Sequence, residues 1–275
     1  MKIQLGHSPD ADDAFMFYAL AHNKIDTAEF QFEHILRDIE TLNRWALEKR
    51  LEVTALSVHT YAYVSKDYAL LPHGASIGDK YGPIVVAMED LSLEVLKQKR
   101  IAVPGELTTA FLALCLCLGR FEYEVIPFDM IFDAVRSGKV DAGLIIHEGQ
   151  LTFSNLGFKK VLDLGEWWHA KTELPLPLGV NGIRKDLGAE NCQRISDYLR
   201  QSIEFGLEHR PEAMRYAQQY ARNAQEELTD RFVAMYVNDF TRSLGEKGTR
   251  AIEMLLNEAH AAGIIPQATL DIIPE

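Results

Sequence analysis

The chain is poor in cysteine: Cys115, Cys117 and Cys192 are an odd number and include no CxxC pair. That excludes a disulfide framework and a zinc ribbon and suits a reducing compartment. Long apolar runs are missing too. The longest, residues 110–118, is about half of the ~20 residues a membrane-crossing helix needs. Positive charge is in deficit, with 28 Lys and Arg against 40 Asp and Glu, a formal net charge of −12. No stretch gathers Lys or Arg into a basic stripe, so nucleic acid and anionic membranes are poor partners. The N-terminal MKIQLGHSPDADD lacks the basic, apolar and small-residue regions of a secretory signal, which predicts a cytoplasmic location. GxGxxG, Walker and GxSxG sequences are absent, so neither a nucleotide cofactor nor a serine nucleophile is indicated.

What is present is ordinary for a folded protein: 47% hydrophobic and 25% charged residues over 275 positions, enough for one large domain or two modest ones. Short β-like runs followed by helical patterns recur, the alternation that yields an α/β fold with parallel sheets. Strands are expected at 2–6, 30–36, VTALS, RIAVPGE and VDAGLII, with helices at AFMFYALAHN, DIETLNRWALEKR, VHTYAYV and LTTAFLALCLCLG. From Asn191 onward the pattern is helical, and Gly263 and Pro266 are stop signals. Pro175 and Pro177 favour an extended connection between the two parts. This predicts two lobes with a ligand cleft between them. Lobe one comprises 1–97 plus 178–275 with the C-terminal helices, and lobe two comprises 98–177. The helical tail either covers the sheet or mediates self-association in a homodimer.

Open parallel sheets bind ligands beyond the carboxyl ends of their strands, where following helices also present unpaired N–H groups. Four segments qualify: HSPDADD, Leu56 with Ser57, Thr108 to Ala110, and His147 with Glu148. Thr108 and Thr109 stand at a helix start, where they either hold a carboxylate or simply cap the helix. His147 follows the apolar run Leu144, Ile145, Ile146, which reads as a buried strand delivering an imidazole to a cleft mouth; the plain alternative is a hydrogen-bonded strand end. An imidazole exchanges protons near neutral pH. His59 and His7 are weaker candidates, and His22, His34, His73, His209 and His260 read as surface or packing residues. Asp10, Asp12 and Asp13 offer carboxylates but match the first-turn preference of any helix, and no metal-ligand spacing is present. Trp167 and Trp168 either stack on an aromatic ligand or pack in the core, and Cys115 and Cys117 lie in an apolar helix where thiols are inert.

HSPDADDAFMFYAL, RDIETLNRWALEKR, IAVPGELTTAFLAL, DAGLIIHEGQLTF and LDLGEWWHAKTELPLPLG, in that order, strongly resemble the 1,4-dihydroxy-6-naphthoate synthase family of the futalosine route to menaquinone. The likeness spans essentially the whole chain. It implies the two-lobed fold of type II periplasmic binding proteins in a cytoplasmic enzyme. It also implies a carbon–carbon lyase that converts cyclic dehypoxanthinyl futalosine, an aryl carboxylate, into 1,4-dihydroxy-6-naphthoate with release of a three-carbon fragment and without metal or redox cofactor. By position it places the proton acceptor on His147, a substrate-binding segment on Ala55, Leu56 and Ser57, and a helix-start pair on Thr109 and Ala110. The first loop departs from the family's S-P-C-P-N-D, which makes Ser8 and Asp13, together with Thr108, secondary candidates. Two alternatives share the fold: chorismate dehydratase, for which no histidine is expected in the LIIHEGQ stretch, and a non-catalytic receptor for small carboxylates.

Overall fold

The computed structural model describes residues 1–221 and 225–275. The first part runs β1 (Lys2–His7), α1 (Ala11–Ala21), β2 (Gln31–Leu36), α2 (Ile39–Leu47), β3 (Val53–Ser57), α3 (Val58–Val64), β4 (Tyr68–Leu70) and β5 (Ser76–Gly78). Then come β6 (Ile84–Ala87), α4 (Leu93–Leu96), β7 (Arg100–Val103), α5 (Thr109–Leu118), β8 (Glu122–Val125), α6 (Ile131–Arg136), β9 (Ala142–Ile145), α7 (Gly149–Thr152), β10 (Lys159–Asp163) and α8 (Leu164–Thr172). The long strand β11 (Leu176–Arg184) precedes the helical tail: α9 (Ala189–Glu208), α10 (Arg210–Ala217), α11 (Glu226–Tyr236), α12 (Asp239–Arg242) and α13 (Gly245–Ala261).

Two sheets result. The first has the order β2-β1-β3-β11-β4, with β5 also on β11, and the second β10-β6-β9-β7-β8. Strands expected from the sequence pair in parallel, β1 with β2 and β3, and β7 with β9, and β7 also pairs in parallel with β8, which was not among them. The sheets are nevertheless mixed, which corrects the all-parallel expectation. β11 runs antiparallel to β3, β4 and β5, and β6 antiparallel to β9 and β10. The proline-containing connection is extended, as its prolines require, but it is also a central strand. Pro177 falls where the ladder to β5 shifts register, a place that tolerates a missing N–H. β8 and β10 are edge strands with the partly polar sequences EYEV and KKVLD, so they show no apolar run.

The chain passes from the first sheet to the second between Gly78 and Ile84, and returns between Asp163 and Leu176. We propose lobe boundaries on this sheet membership. The first crossing then lies in 79–83 rather than near Lys97, because β6 pairs with β9. The two crossing segments touch: the Leu164 N–H donates to the Pro83 carbonyl at 2.9 Å.

α9 carries a buried stripe, Cys192, Ile195, Leu199, Ile203 and Gly206, at the spacing of one helix face. That face packs on α1, whose residues from Ala14 to Leu20 are all buried. The tail therefore covers the first sheet's α1 layer. A second cluster joins both sheets, running from Leu56, Tyr61 and Val180 to Val85, Ile101, Leu112 and Trp168. Trp168 is fully buried there, so packing is its role, with Trp167 half-buried beside it. Burial pushes the Cys115 thiol up to about 12 and the Cys117 thiol to about 11, which leaves both inert as expected.

At the crossing, a Cβ on Gly165 would come within 2.0 Å of the Tyr81 carbonyl carbon. Gly165→Ala should therefore destabilise the protein by about 1–3 kcal/mol through overpacking. A denaturant midpoint unchanged from the wild type would contradict this close approach.

Candidate active site

A cleft opens at the carboxyl ends of β1 and β3 and beside the start of α5, the edge of an open sheet where small ligands bind. Of the residues expected from the sequence, Ser8, Asp13, Ala55, Ser57, Thr108, Thr109 and Ala110 all line it. Leu56 does not. Side chains alternate along a strand, so Ala55 and Ser57 face the cleft while Leu56 is wholly buried on the other side, against Gly182 and the core. Leu56 therefore presents no side chain to the cleft. His147 is also absent from the lining, where its neighbour Ile146 stands.

Sequence reasoning missed the group that organises this floor. Asn43 of α2 is fully buried, and its Oδ1 accepts the Ser57 N–H at 2.9 Å while its Nδ2 donates to Ser57 Oγ at 2.9 Å and to the Leu107 carbonyl at 3.3 Å. Ser57 Oγ thus accepts from Asn43 and keeps its own proton for the cleft. Thr108 is the N-cap of α5, accepting the Phe111 N–H at 3.1 Å and donating to the Gly105 carbonyl, so capping accounts for its side chain. The Thr109 hydroxyl accepts the His59 N–H and donates its proton to the Leu178 carbonyl of β11. What Thr109 and Ala110 can offer a ligand is therefore their backbone N–H groups, at the positive end of the helix dipole. His59 is buried and its Nδ1–H donates to the Thr108 carbonyl at 3.2 Å. Burial lowers its pKa, and its role here is to hold that segment.

The first loop is folded on itself. The Ser8 N–H donates to Asp13 Oδ2 at 2.6 Å and Ser8 Oγ donates to Asp10. Asp10, Asp12 and Asp13 all face the cleft while protein surrounds them on the other sides. Burial first, and the neighbouring carboxylates second, hold the Asp12 carboxyl well above the usual range. Burial also raises Asp13 to about 7, against the opposing Ser8 hydrogen bond. Behind the loop, His7 Nδ1–H donates to the Ser8 carbonyl at 3.1 Å, and His7 Nε2 accepts from His34 Nδ1 at 3.0 Å. Burial lowers these imidazoles to about 3 and about 4, so both are neutral props. Tyr236 of α11 lines the cleft and donates to Gln150 Oε1 at 2.9 Å. No local signal in the sequence points to it, because it lies in the tail, far from the strand ends it faces.

His147 directly follows Ile146 beyond the end of β9 and is 8% exposed. Its ring meets those of Phe128 and Phe132 edge to face, with centroids 5.8 and 6.0 Å away. Its Nδ1 accepts the Gly149 N–H at 3.0 Å. In a neutral imidazole the proton then sits on Nε2.

The chain matches, over residues 3–261, a family model described as menaquinone biosynthesis. It is 41% identical over 262 residues to a 1,4-dihydroxy-6-naphthoate synthase of Thermus thermophilus, covering 95% of both chains. It is 39% identical over 271 residues to a 1,4-dihydroxy-6-naphthoate synthase of Streptomyces coelicolor, covering 96% of this chain and 95% of that one. The crystal structure of a protein from Archaeoglobus fulgidus, 49% identical, superposes with a TM-score of 0.92 over 96% of this chain and 98% of that chain. The alkanesulfonate-binding protein of Xanthomonas axonopodis pv. citri, 12% identical, superposes with a TM-score of 0.75 over 98% of this chain and 96% of that one. At that identity the likeness shows the fold alone, that of periplasmic binding proteins.

The Asp13 shift has a stability consequence. Its carboxyl keeps its proton up to about 7 in the fold but loses it near 3.8 in the unfolded chain, so between those values the folded state binds the extra proton. Stability from this group is complete below the unfolded value and is lost as pH rises through the folded one. Asp13→Asn should therefore gain thermal stability over the wild type as pH rises from about 5 to about 8. A difference in melting temperature that stays flat across that range would contradict a protonated Asp13.

Proposed function

We propose that this enzyme, which belongs to the 1,4-dihydroxy-6-naphthoate synthase family of menaquinone biosynthesis, converts cyclic dehypoxanthinyl futalosine into 1,4-dihydroxy-6-naphthoate with release of a three-carbon fragment. The near full-length likeness to two synthases of that name carries the reading. It is a carbon–carbon lyase of the cytoplasm, and the cleft offers the groups that such a reaction uses. The Ser57 hydroxyl and the N–H groups of Thr109 and Ala110 suit the aryl carboxylate, which is an anion at neutral pH. Asp12, held towards its neutral acid mainly by burial, can donate to a hydroxyl of the sugar-derived portion, and Asp13, raised to about 7, is shared between donor and acceptor forms at neutral pH.

Breaking a carbon–carbon bond beside a hydroxyl needs a base to take a proton while the electrons move into the carbonyl-bearing ring. Aromatisation of that ring supplies driving force. The protein is left to orient the substrate and transfer protons, and general base catalysis contributes ~10²–10⁴-fold. His147 is the proposed base. The Gly149 N–H at Nδ1 sets a condition on it: Nε2 carries the proton of the neutral ring, so accepting another requires Nδ1 to be released, a change we assign to closure of the lobes over the substrate. Closure also excludes water from the reactive intermediate.

The same hydrogen bond favours a second reading, in which His147 stays neutral and its Nε2–H donates to an oxygen that gains charge in the transition state. Glutamine separates the two, because it can donate from a similar position but cannot act as a base. With His147 as base, His147→Gln and His147→Asn should both bind substrate and lose at least ~10² in turnover. Glutamine activity near wild type beside an inactive His147→Ala would move His147 to the donor role. Full activity of all three variants would remove it from the reaction.

A further inference from the structure

Resting on the reading that an aryl carboxylate occupies the start of α5, we propose that Glu40 is a positioning residue that sets this anion platform from lobe one. Glu40 is 9% exposed. It lies on α2, which packs on β1 and β3 of the first sheet, whereas Leu107 belongs to the connection between β7 of the second sheet and α5. Glu40 Oε2 accepts the Leu107 N–H at 3.0 Å. The carbonyl of the same residue accepts from Asn43 Nδ2 at 3.3 Å and from Thr60 Oγ1 at 3.0 Å. Leu107 is thus held at both its N–H and its carbonyl by three side chains of the first lobe, one residue before the Thr108 cap.

The approach is close. A Cβ on Gly105 would fall 2.2 Å from Glu40 Oε2 and 2.4 Å from its Cδ, so the glycine lets the loop settle on the carboxyl. Arg44 steadies the other oxygen, its Nη2 2.7 Å from Glu40 Oε1. Next along the chain, His59 and Leu178, also of the first lobe, hold Thr108 and Thr109. The start of α5 is therefore fixed to lobe one although the helix follows a strand of the second sheet. Glu40 touches no reacting atom; it acts through the Leu107 amide.

A positioning role of this kind separates binding from chemistry, because the platform's contact with the carboxylate persists from substrate to transition state. Glu40→Ala should raise KM for cyclic dehypoxanthinyl futalosine by about tenfold, the scale of one weakened charge-assisted contact, with kcat within about threefold of wild type. It should weaken binding of 1,4-dihydroxy-6-naphthoate in parallel. Glu40→Gln, whose amide oxygen can still accept the Leu107 N–H, should restore KM. Amide hydrogen exchange at 107–110 should accelerate in the alanine variant and not in the glutamine variant, a readout that remains informative where activity is low. An alanine variant with unchanged KM and unchanged exchange, or one that loses kcat alone, would overturn the proposal. A wild-type protein that binds the naphthoate yet does not turn over the futalosine would instead overturn the assigned reaction, and Glu40 would then be judged on naphthoate affinity and exchange.

Discussion

The antiparallel ladder between β3 and β11 is the constraint on which the site depends. It sets Gly179 opposite Ser57 and Asn181 opposite Ala55, so both walls of the cleft floor come from one register. β11 is the strand by which the chain returns from the second sheet, and its flanking pairs with β4 and β5 satisfy its other edge. Buried backbone groups must be paired, and a slip by one residue would turn Ala55 and Ser57 away from the cleft and Leu56 into it. The Leu178 carbonyl, beside this ladder, receives the Thr109 hydroxyl. The first lobe thereby holds the start of the helix that faces it.

Electrostatics complete the picture. A protein of net charge −12 is proposed to bind an anion, and the cleft reconciles this locally. Its donors are uncharged: a serine hydroxyl and helix N–H groups. Burial and the neighbouring Asp13 and Asp10 drive Asp12 towards its neutral acid, and burial and Asp10 raise Asp13, which gives both carboxyls donor character as well. No lysine or arginine is needed at the floor, and hydrogen bonds to backbone N–H groups fix orientation more tightly than a mobile cation would.

Much of this was legible before the fold was known. The strands Val53–Ser57 and Ala142–Ile145 announce themselves as apolar runs ending in polar residues, and Thr108 heads an apolar helix as an N-cap should. The reversed strands were not, because nothing local in IVVA or LPLGVNGIR encodes direction; that is set by where the chain has just been. Asn43 and Glu40 escaped for another reason. On an amphipathic helix a polar residue reads as solvated, and contacts distant in sequence cover these two: Ser57 and Leu107 for Asn43, Gly105 and Leu107 for Glu40. Leu56 was carried along with its neighbours by a segment-wise resemblance, which strand alternation resolves side chain by side chain. Tyr236 reaches the cleft only because the tail packs back on α1.

The account stands on a chemical conversion in this cleft, and the most direct test is to incubate the purified protein with cyclic dehypoxanthinyl futalosine and follow substrate and products by mass. The account predicts 1,4-dihydroxy-6-naphthoate and a three-carbon fragment in equal amounts. Tight binding with the substrate recovered intact would make this a receptor, and a dehydrated product formed from chorismate instead would assign it to the sister reaction; either result would contradict the account.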